Sequence, residues 1–184
     1  MFCLVPHAHA IDLFGKGSVS KSYLTPDSST ISVSLTGGFA FSLLPFVRVE
    51  ARYSNIASLQ NKISVETPTI SGTITEFNTQ TTIYSLGLDF DFLSDKYLIQ
   101  PFIYVGMGYI ETERSYYFTA SGTSTAQYYA DPKTTGITAN GGAGLRIRLG
   151  KRFALELEVF GYAVDMKKPN LANVYGTAGV RLFI

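Results

Sequence analysis

The chain has 184 residues, of which 46% are hydrophobic and only 16% are charged, and its formal net charge is +1. The length fits one domain, and the balanced charge excludes a typical nucleic-acid-binding protein, which carries a basic excess. No apolar run approaches the ~18 residues that a membrane-spanning helix needs, so a helical membrane protein is excluded. The single cysteine excludes an internal disulfide framework.

The first ten residues end in Ala8-His9-Ala10, a pattern typical of a signal-peptidase site. A short apolar stretch precedes it, without the basic start and long apolar core of a complete signal peptide. We interpret residues 1–10 as the remnant of an export signal and residues 11–184 as one domain; the alternative is an N-terminal tail with a chance match. Both histidines and the cysteine lie in this first segment, so residues 11–184 contain neither residue type.

From residue 11 onward, apolar and polar side chains alternate in eight segments. In the clearest segment, 30–42, Ile31, Val33 and Leu35 share one face, and small polar residues occupy the other. Successive side chains of a β-strand point to opposite faces, so this alternation predicts a strand that is apolar on one side. The predicted strands lie at about 11–23, 30–42, 47–54, 84–92, 97–113, 142–149, 153–159 and 174–184.

The predicted connections alternate in length along the chain. Those near 44–45, 93–96 and 150–152 are short, whereas those at 58–79 and 115–134 are long and rich in Ser, Thr and Tyr. The connections at 24–28 and 165–173 are intermediate. If the strands run up and down, all the short connections lie at one end, as in outer-membrane barrels. The sequence therefore predicts an all-β, eight-stranded antiparallel up-and-down transmembrane β-barrel with short periplasmic turns and longer extracellular loops.

Alternation alone does not say which face of the sheet points inward. A soluble lipocalin-like barrel has its apolar face inside, and a membrane barrel has it outside. Here the polar face is mostly Ser, Thr, Gly and Ala, unlike the charged surface of a soluble protein. Its charges, six of each sign, fall in the half nearer the short turns, which favours an enclosed, mutually paired set.

The predicted lumen charge network has twelve members, and the short turn at 150–152 is expected to place Arg146 and Arg148 opposite Glu156 and Glu158. The members are Asp12, Lys16, Arg48, Glu50, Arg52, Asp89, Asp91, Arg146, Arg148, Glu156, Glu158 and Arg181. Because aromatic residues such as Phe160 and Tyr162 also face this side, we expect a plugged lumen rather than a general porin.

Three stretches resemble small outer-membrane barrel proteins. Residues 101–109 (PFIYVGMGY) resemble their Pro-Tyr-x-Gly-x-Gly-x-Gly-Tyr stretch, 141–149 with 153–159 resemble their sixth and seventh strands, and 179–184 (GVRLFI) resemble their C-terminal assembly signal. The resemblance is to the OmpA/OmpX-like eight-stranded family, including opacity-type surface antigens. Members usually end in Phe or Trp, whereas this chain ends in Ile184. By parity, Phe183 faces the lumen and Ile184 the lipid. The residues assigned to the assembly signal are Val180, Leu182, Phe183 and Ile184.

This resemblance implies a location in the outer membrane of a Gram-negative bacterium. The expected partners are outer-membrane lipid, and the barrel assembly machinery and periplasmic chaperones during biogenesis; no nucleic acid and no cofactor is expected. Barrel enzymes of the outer membrane rely on a histidine that moves a proton near neutral pH, and residues 11–184 have none. Paired carboxylates such as Glu156 and Glu158 are interpreted as ion-pair partners rather than as an acid/base dyad, so no enzyme is predicted.

The longer loops, 58–79 and 115–134, are the predicted working surface. Their Tyr, Ser and Thr content suits adaptable surface contacts, so the main hypothesis is a structural, surface-exposed protein with an adhesive role. The alternative for these ranges is that they extend the strands and contact one another. The alternative functions are an OmpW-like barrel that transports small apolar molecules and a soluble lipocalin-like ligand binder.

Overall fold

The computed structural model describes residues 11–25, 28–61, 63–66, 71–94, 96–163 and 173–184. These residues form ten strands and contain no helix long and apolar enough to cross a membrane. The interpreted signal remnant, 1–10, lies outside the described residues. The strands are β1 (Asp12–Thr25), β2 (Ser28–Leu44), β3 (Val47–Asn61), β4 (Ile63–Glu66), β5 (Ser71–Asp91), β6 (Ile99–Ala120), β7 (Gln127–Ala130), β8 (Thr134–Arg148), β9 (Phe153–Tyr162) and β10 (Val174–Phe183).

The strands form a closed antiparallel ring with eight positions. β3 and β4 pair with consecutive parts of β5, so together they count as one strand of the ring. In the same way, β7 and β8 pair with consecutive parts of β6 and count as one strand. β1 pairs with β10 from Asp12 opposite Phe183 to Gly17 opposite Ala178, which closes the ring. The eight-stranded up-and-down barrel predicted from the alternation is confirmed. Closure removes the free edges that a membrane-spanning sheet cannot leave unpaired.

The wall of this barrel has an uneven height, and the predicted loop boundaries are wrong for this reason. β5 and β6 have 21 and 22 residues, whereas β9 and β10 have 10 each. Most of 58–79 and 115–134 is strand: Gly72 lies opposite Ala120, and Ser115 lies opposite Ala130. A bulge at Glu76, whose φ is 54°, adjusts the register inside the first range. The alternative prediction, that these ranges extend the strands, is the one that the structure follows.

We call the part of the wall beyond the barrel the projecting sheet, comprising 63–66, 71–77, 115–120 and 127–130. It contains all of β4 and β7 and the ends of β5 and β6 that pair with them. In the part of the chain that the structure describes, it rises on one side of the ring, since β9 ends at Tyr162, opposite Asn140 of β8. The connection at 165–172 on the low side lies outside the described residues.

Side-chain burial alternates along the barrel part of the strands, most regularly in β9, and fixes the direction of each face. In β9, Ala154, Glu156 and Glu158 are buried, while Leu155 and Leu157 are exposed on the outside. The outer face is therefore apolar and the inner face carries the charges, as in membrane barrels. This orientation contradicts the lipocalin-like alternative, which requires the apolar face inside.

Glycines on the inner face make room for large lumen side chains. A Cβ at Gly38 would lie 2.7 Å from the Phe14 ring, one at Gly144 would lie 2.9 Å from the Phe102 ring, and one at Gly142 would lie 2.3 Å from a Glu158 carboxylate oxygen. An eight-stranded barrel has an interior just wide enough for side chains to fill. Packing inside the barrel thus explains the glycines at 38, 142 and 144.

Candidate functional site

The lumen half near the short turns holds the residues of the predicted charge network. Eleven of the twelve are buried, and Arg148 is half-buried. Each of the six lumen carboxylates lies within ion-pair distance of a Lys or Arg. Buried charges are tolerated only when they are paired and hydrogen-bonded, so this layer depends on its mutual partners.

Two arginines form the centre of this layer. The Arg146 guanidinium donates to Glu156 at 2.6 Å, to Asp89 at 2.8 Å and also to Asp91. The Arg181 guanidinium donates to the same Glu156 carboxylate at 2.5 Å and to Glu50 at 2.7 Å. These bonds join β5, β8, β9, β10 and β3 across the lumen, so the layer ties together strands that are not neighbours in the ring.

Lys16 and Arg52 connect this centre to the other side of the barrel. The Lys16 ammonium lies 2.7 Å from Glu158 and 2.8 Å from Glu156. Arg52 donates to Glu158 at 2.8 Å and also to Glu50. Glu158 therefore has two cationic partners, and neither of them comes from β8.

The expected pairing across the 150–152 turn is correct for one pair and wrong for the other. Arg146 lies opposite Glu156, as predicted, but Arg148 lies opposite Ala154 and Glu158 lies opposite Gly144. Arg148 is the last residue of β8 before the turn. It therefore lies closer to the turn than either glutamate of β9 and has Ala154 as its cross-strand neighbour. Arg148 instead covers the ring of Phe183, with its guanidinium carbon 4.3 Å from the ring centre.

Aromatic side chains stand among the charges, and sequence reasoning missed three of them. Phe14, Phe102 and Tyr104 are buried on the inner face. The guanidinium carbon of Arg52 lies 3.4 Å from the centre of the Tyr104 ring, and that of Arg146 lies 4.6 Å from the centre of the Phe102 ring. The parity of Phe14 with Asp12 and Lys16 could have found the first of these.

The lumen half toward the loop end contains a buried apolar cluster. Its members are Ile56, Ile83, Tyr104, Ile110, Phe160 and Tyr162, with Tyr175 beside them. Phe160 and Tyr162, which the sequence placed in the lumen, are 4% and 8% exposed. The charged layer lies below this cluster, toward the short turns. Among the described residues there is no group of three or more His, Cys, Asp or Glu suited to hold a metal ion.

The C-terminal residues divide between the two faces of β10. Val180 and Ile184 are exposed on the outside, and Leu182 is half-buried on the same side. Phe183 points inward and is 3% exposed. The backbone N–H of Phe183 donates to the Arg152 carbonyl at 2.8 Å, and that of Ile184 donates to the Ile11 carbonyl at 3.0 Å.

The projecting sheet carries rows of aromatic side chains across its strands. Phe77, Tyr116 and Tyr129 stack in series, with ring centres 5.9 Å and 5.5 Å apart. Tyr117 and Tyr128 form a second pair with ring centres 5.3 Å apart. Tyr117, Tyr128 and Tyr129 are exposed, so these rings order one another while remaining accessible.

A small charged cluster lies at the base of this sheet. The Lys133 ammonium lies 2.7 Å from Glu111 and 3.4 Å from Glu113, and all three side chains are accessible. The hydrogen bond with Glu111 raises the pKa of Lys133. Exposed pairs of this kind contribute little to stability.

The fold has counterparts among solved structures. Neisserial surface protein A (NspA) is 12% identical over 96% of this chain and 98% of its own, with a TM-score of 0.53. The N-terminal β-barrel domain of Pseudomonas aeruginosa OprF is 13% identical over 96% of this chain and 98% of its own, with a TM-score of 0.48. The outer-membrane enzyme PagL is 16% identical over 94% of this chain and 96% of its own, with a TM-score of 0.37.

No family model matches the chain, and no curated protein sequence matches it. At these identities, the similarity to NspA concerns the fold alone. The architecture is that of an eight-stranded membrane barrel, and a more specific function has to be argued from this chain's own residues.

Proposed function

We propose that this chain is a non-enzymatic, integral outer-membrane protein of a Gram-negative bacterium that adheres to other surfaces through its projecting sheet. One observation carries the proposal: the exposed aromatic rows stand beyond a barrel whose lumen is crossed by buried charged and apolar side chains. Tyr side chains surrounded by Ser and Thr provide large, rigid contact area together with adaptable hydrogen bonding. The barrel serves as the anchor, and the sheet provides the contact surface.

The absence of enzymatic activity is supported by the state of the lumen carboxylates. All six are engaged by Lys or Arg, and residues 11–184 contain no histidine to move a proton near neutral pH. A general base must reach the proton that it abstracts, and these carboxylates are enclosed between cations. Asp89/Asp91 and Glu156/Glu158 accordingly serve as ion-pair partners.

Transport of small apolar molecules, the OmpW-like alternative, is the weaker candidate. Such a barrel needs a continuous apolar track, and here a layer of buried charges crosses the lumen below the apolar cluster. Planar-bilayer recording on the refolded chain separates the two possibilities. Well-resolved single-channel steps would revive transport, and a silent bilayer is the result expected for a filled lumen.

The proposed partners follow from the two faces of the wall. Outer-membrane lipid contacts the apolar outer face. During biogenesis, periplasmic chaperones deliver the chain, and the barrel assembly machinery recognises the lipid-facing side of β10, at Val180, Leu182 and Ile184. Replacing Ile184 with Asp should slow assembly in cells, whereas replacing exposed Lys151 in the short turn should not.

The adhesive role is tested by removing the projecting sheet and keeping the barrel. Replacing 62–76 and 114–132 by Asn-Gly turns preserves the pairing of Gln60 with Phe77 and of Thr112 with Thr134. The measurement is attachment of a Gram-negative expression host to mucin, fibronectin and bare polystyrene, with albumin as the blocking control. We expect the shortened chain to fold and attachment to fall to the level of cells without the protein.

A second variant separates the aromatic rings from the length of the sheet. Tyr128→Ser with Tyr129→Ser keeps the strand and removes two exposed rings. Attachment should fall while the amount of folded protein at the surface is unchanged. The adhesive proposal would be wrong if the full-length, shortened and Tyr-to-Ser chains attached equally on every surface.

A further inference from the structure

The last inward-facing residues of β8 and β10 meet at the short-turn end of the lumen. These are Arg148 and Phe183. Arg148 covers the ring of Phe183 at 4.3 Å, and the Phe183 backbone is fixed by its bond to the Arg152 carbonyl. A guanidinium stacks readily on an aromatic face because it is planar and weakly hydrated.

Three cross-strand pairings place this contact next to the charge network, on its short-turn side. Phe183 lies opposite Asp12 in β1, and Ala154 of β9 lies opposite both Arg148 and Arg181. Ala154 is 1% exposed. The ring therefore stands between the ion pairs of Arg181 and the aqueous end of the barrel.

The ion pairs need this protection for a physical reason. Attraction between charges is strong only where water is excluded, and it falls steeply in a high-dielectric medium. An apolar ring at the open end keeps water out, and the Arg148 contact holds the ring in place. The same register that places Arg148 opposite Ala154 rather than Glu158 brings it against the Phe183 ring.

We propose that Phe183 is a plug that closes the lumen at the short-turn end, with Arg148 as its positioning residue. The C-terminal segment then has two separate roles. Phe183 seals the lumen, while Val180, Leu182 and Ile184 face the lipid. Phe183 therefore acts inside the barrel, whereas its neighbour Ile184 faces outward.

The test measures the access of water-soluble reagent to the residue just inside the plug. Ala154→Cys places a small thiol there, and Cys3→Ser removes the chain's only native thiol. The full-length chain is refolded in detergent, its folding is checked by gel mobility without boiling, and the rate of alkylation by iodoacetamide is measured. The parent should react slowly, and adding Phe183→Ala should raise the rate at least about tenfold, as expected when a buried site becomes open.

Two further variants isolate the plug from general loosening of the barrel. Leu182→Ala shortens the neighbouring lipid-facing side chain and should leave the alkylation rate unchanged. Phe183→Leu retains an apolar plug and should restore most of the protection. Arg148→Gln removes the positioning contact and should give an intermediate rate.

Either of two results would overturn the proposal: fast alkylation in the parent, or equal rates in the parent and in Phe183→Ala. If Phe183→Ala does not fold, Arg148→Gln decides, and an unchanged rate in that variant overturns the plug. An equal rise in Leu182→Ala and Phe183→Ala would also overturn it, because the effect would then be a loosened strand end.

Discussion

The two ends of the barrel differ in the kind of residue they carry and in how far those residues are buried. Near the short turns, the lumen is crowded with buried charges, and each carboxylate has a cationic partner contributed by another part of the ring. Beyond the loop end, the projecting sheet carries stacked aromatic side chains, of which Tyr117, Tyr128 and Tyr129 are exposed. One region holds the strands together from inside, and the other displays a surface.

This difference indicates where substitutions will matter for stability and where they will matter for contact with other molecules. A residue in the charge layer is bound to several strands, so its loss leaves several partners unsatisfied. A residue in the projecting sheet has neighbours on only a few strands. Stability and surface recognition should therefore respond to separate sets of substitutions.

The largest expected effect comes from removing the central cation. Arg146→Leu removes one cationic partner from each of Asp89, Asp91 and Glu156, and breaking a buried ion pair in this way costs about 3–5 kcal/mol. The free energy of unfolding in detergent, measured by urea titration with gel mobility as readout, should fall by that amount. The control is Lys151→Ala in the exposed short turn, which should change it little. Similar stability of both variants would contradict a structural role for the charge layer.

A smaller effect should distinguish the inside of the wall from the outside. Gly144→Leu forces a side chain into the Phe102 ring, and overpacking of this kind costs about 1–3 kcal/mol. At Gly176, which faces outward, a Cβ would meet no other atom within 4 Å, so Gly176→Leu should lie within about 0.5 kcal/mol of the parent. The same titration measures both. A larger loss at Gly176 than at Gly144 would mean that the two faces have been assigned the wrong way round.

In the projecting sheet, substitutions should affect attachment more than stability. Tyr128→Ser with Tyr129→Ser should change the free energy of unfolding by less than about 1 kcal/mol, because both rings are exposed. Attachment of expressing cells should nevertheless fall. A large loss of stability with intact attachment would show that the aromatic rows are structural supports instead.

The smallest effect is expected at the base of that sheet. The bond with Glu111 raises the pKa of Lys133, so the pair's contribution is complete below the ordinary lysine pKa and is lost as pH rises through the raised value. At neutral pH, Lys133→Gln should leave the unfolding midpoint unchanged within error, since the pair is exposed. A clear shift of the midpoint at pH 7 would reveal coupling between this pair and the barrel.

The sequence predicted the barrel well where one face of each strand meets lipid. Alternation in segments such as 30–42 and 153–159 arises because the two faces lie in different surroundings, and this contrast ends where the strands leave the membrane. In 58–79 and 115–134 both faces can be polar, so cross-strand backbone bonds continue the strands without an alternating pattern. These ranges therefore resembled loops in the sequence.

The details of the lumen were less predictable for two physical reasons. The position of Arg148 opposite Ala154 depends on how the strands face each other across the turn at 150–152, which residue types alone do not specify. Phe102 and Tyr104 lie on the inner face of β6, where cations cover their rings. That face is therefore not polar in the sequence, and alternation alone did not identify it. The parity of Phe183, by contrast, was sufficient to place its ring inside.

The central claim is that the charged face of this sheet is inside and the apolar face is outside, in a closed membrane barrel. It is tested most directly by the mobility of the refolded chain on a detergent gel, unheated against boiled, together with its solubility in plain buffer. We predict a mobility shift that requires both detergent and an unboiled sample, and aggregation without detergent. A monodisperse protein in plain buffer that shows no shift would contradict the claim, because the apolar face would then line an internal cavity.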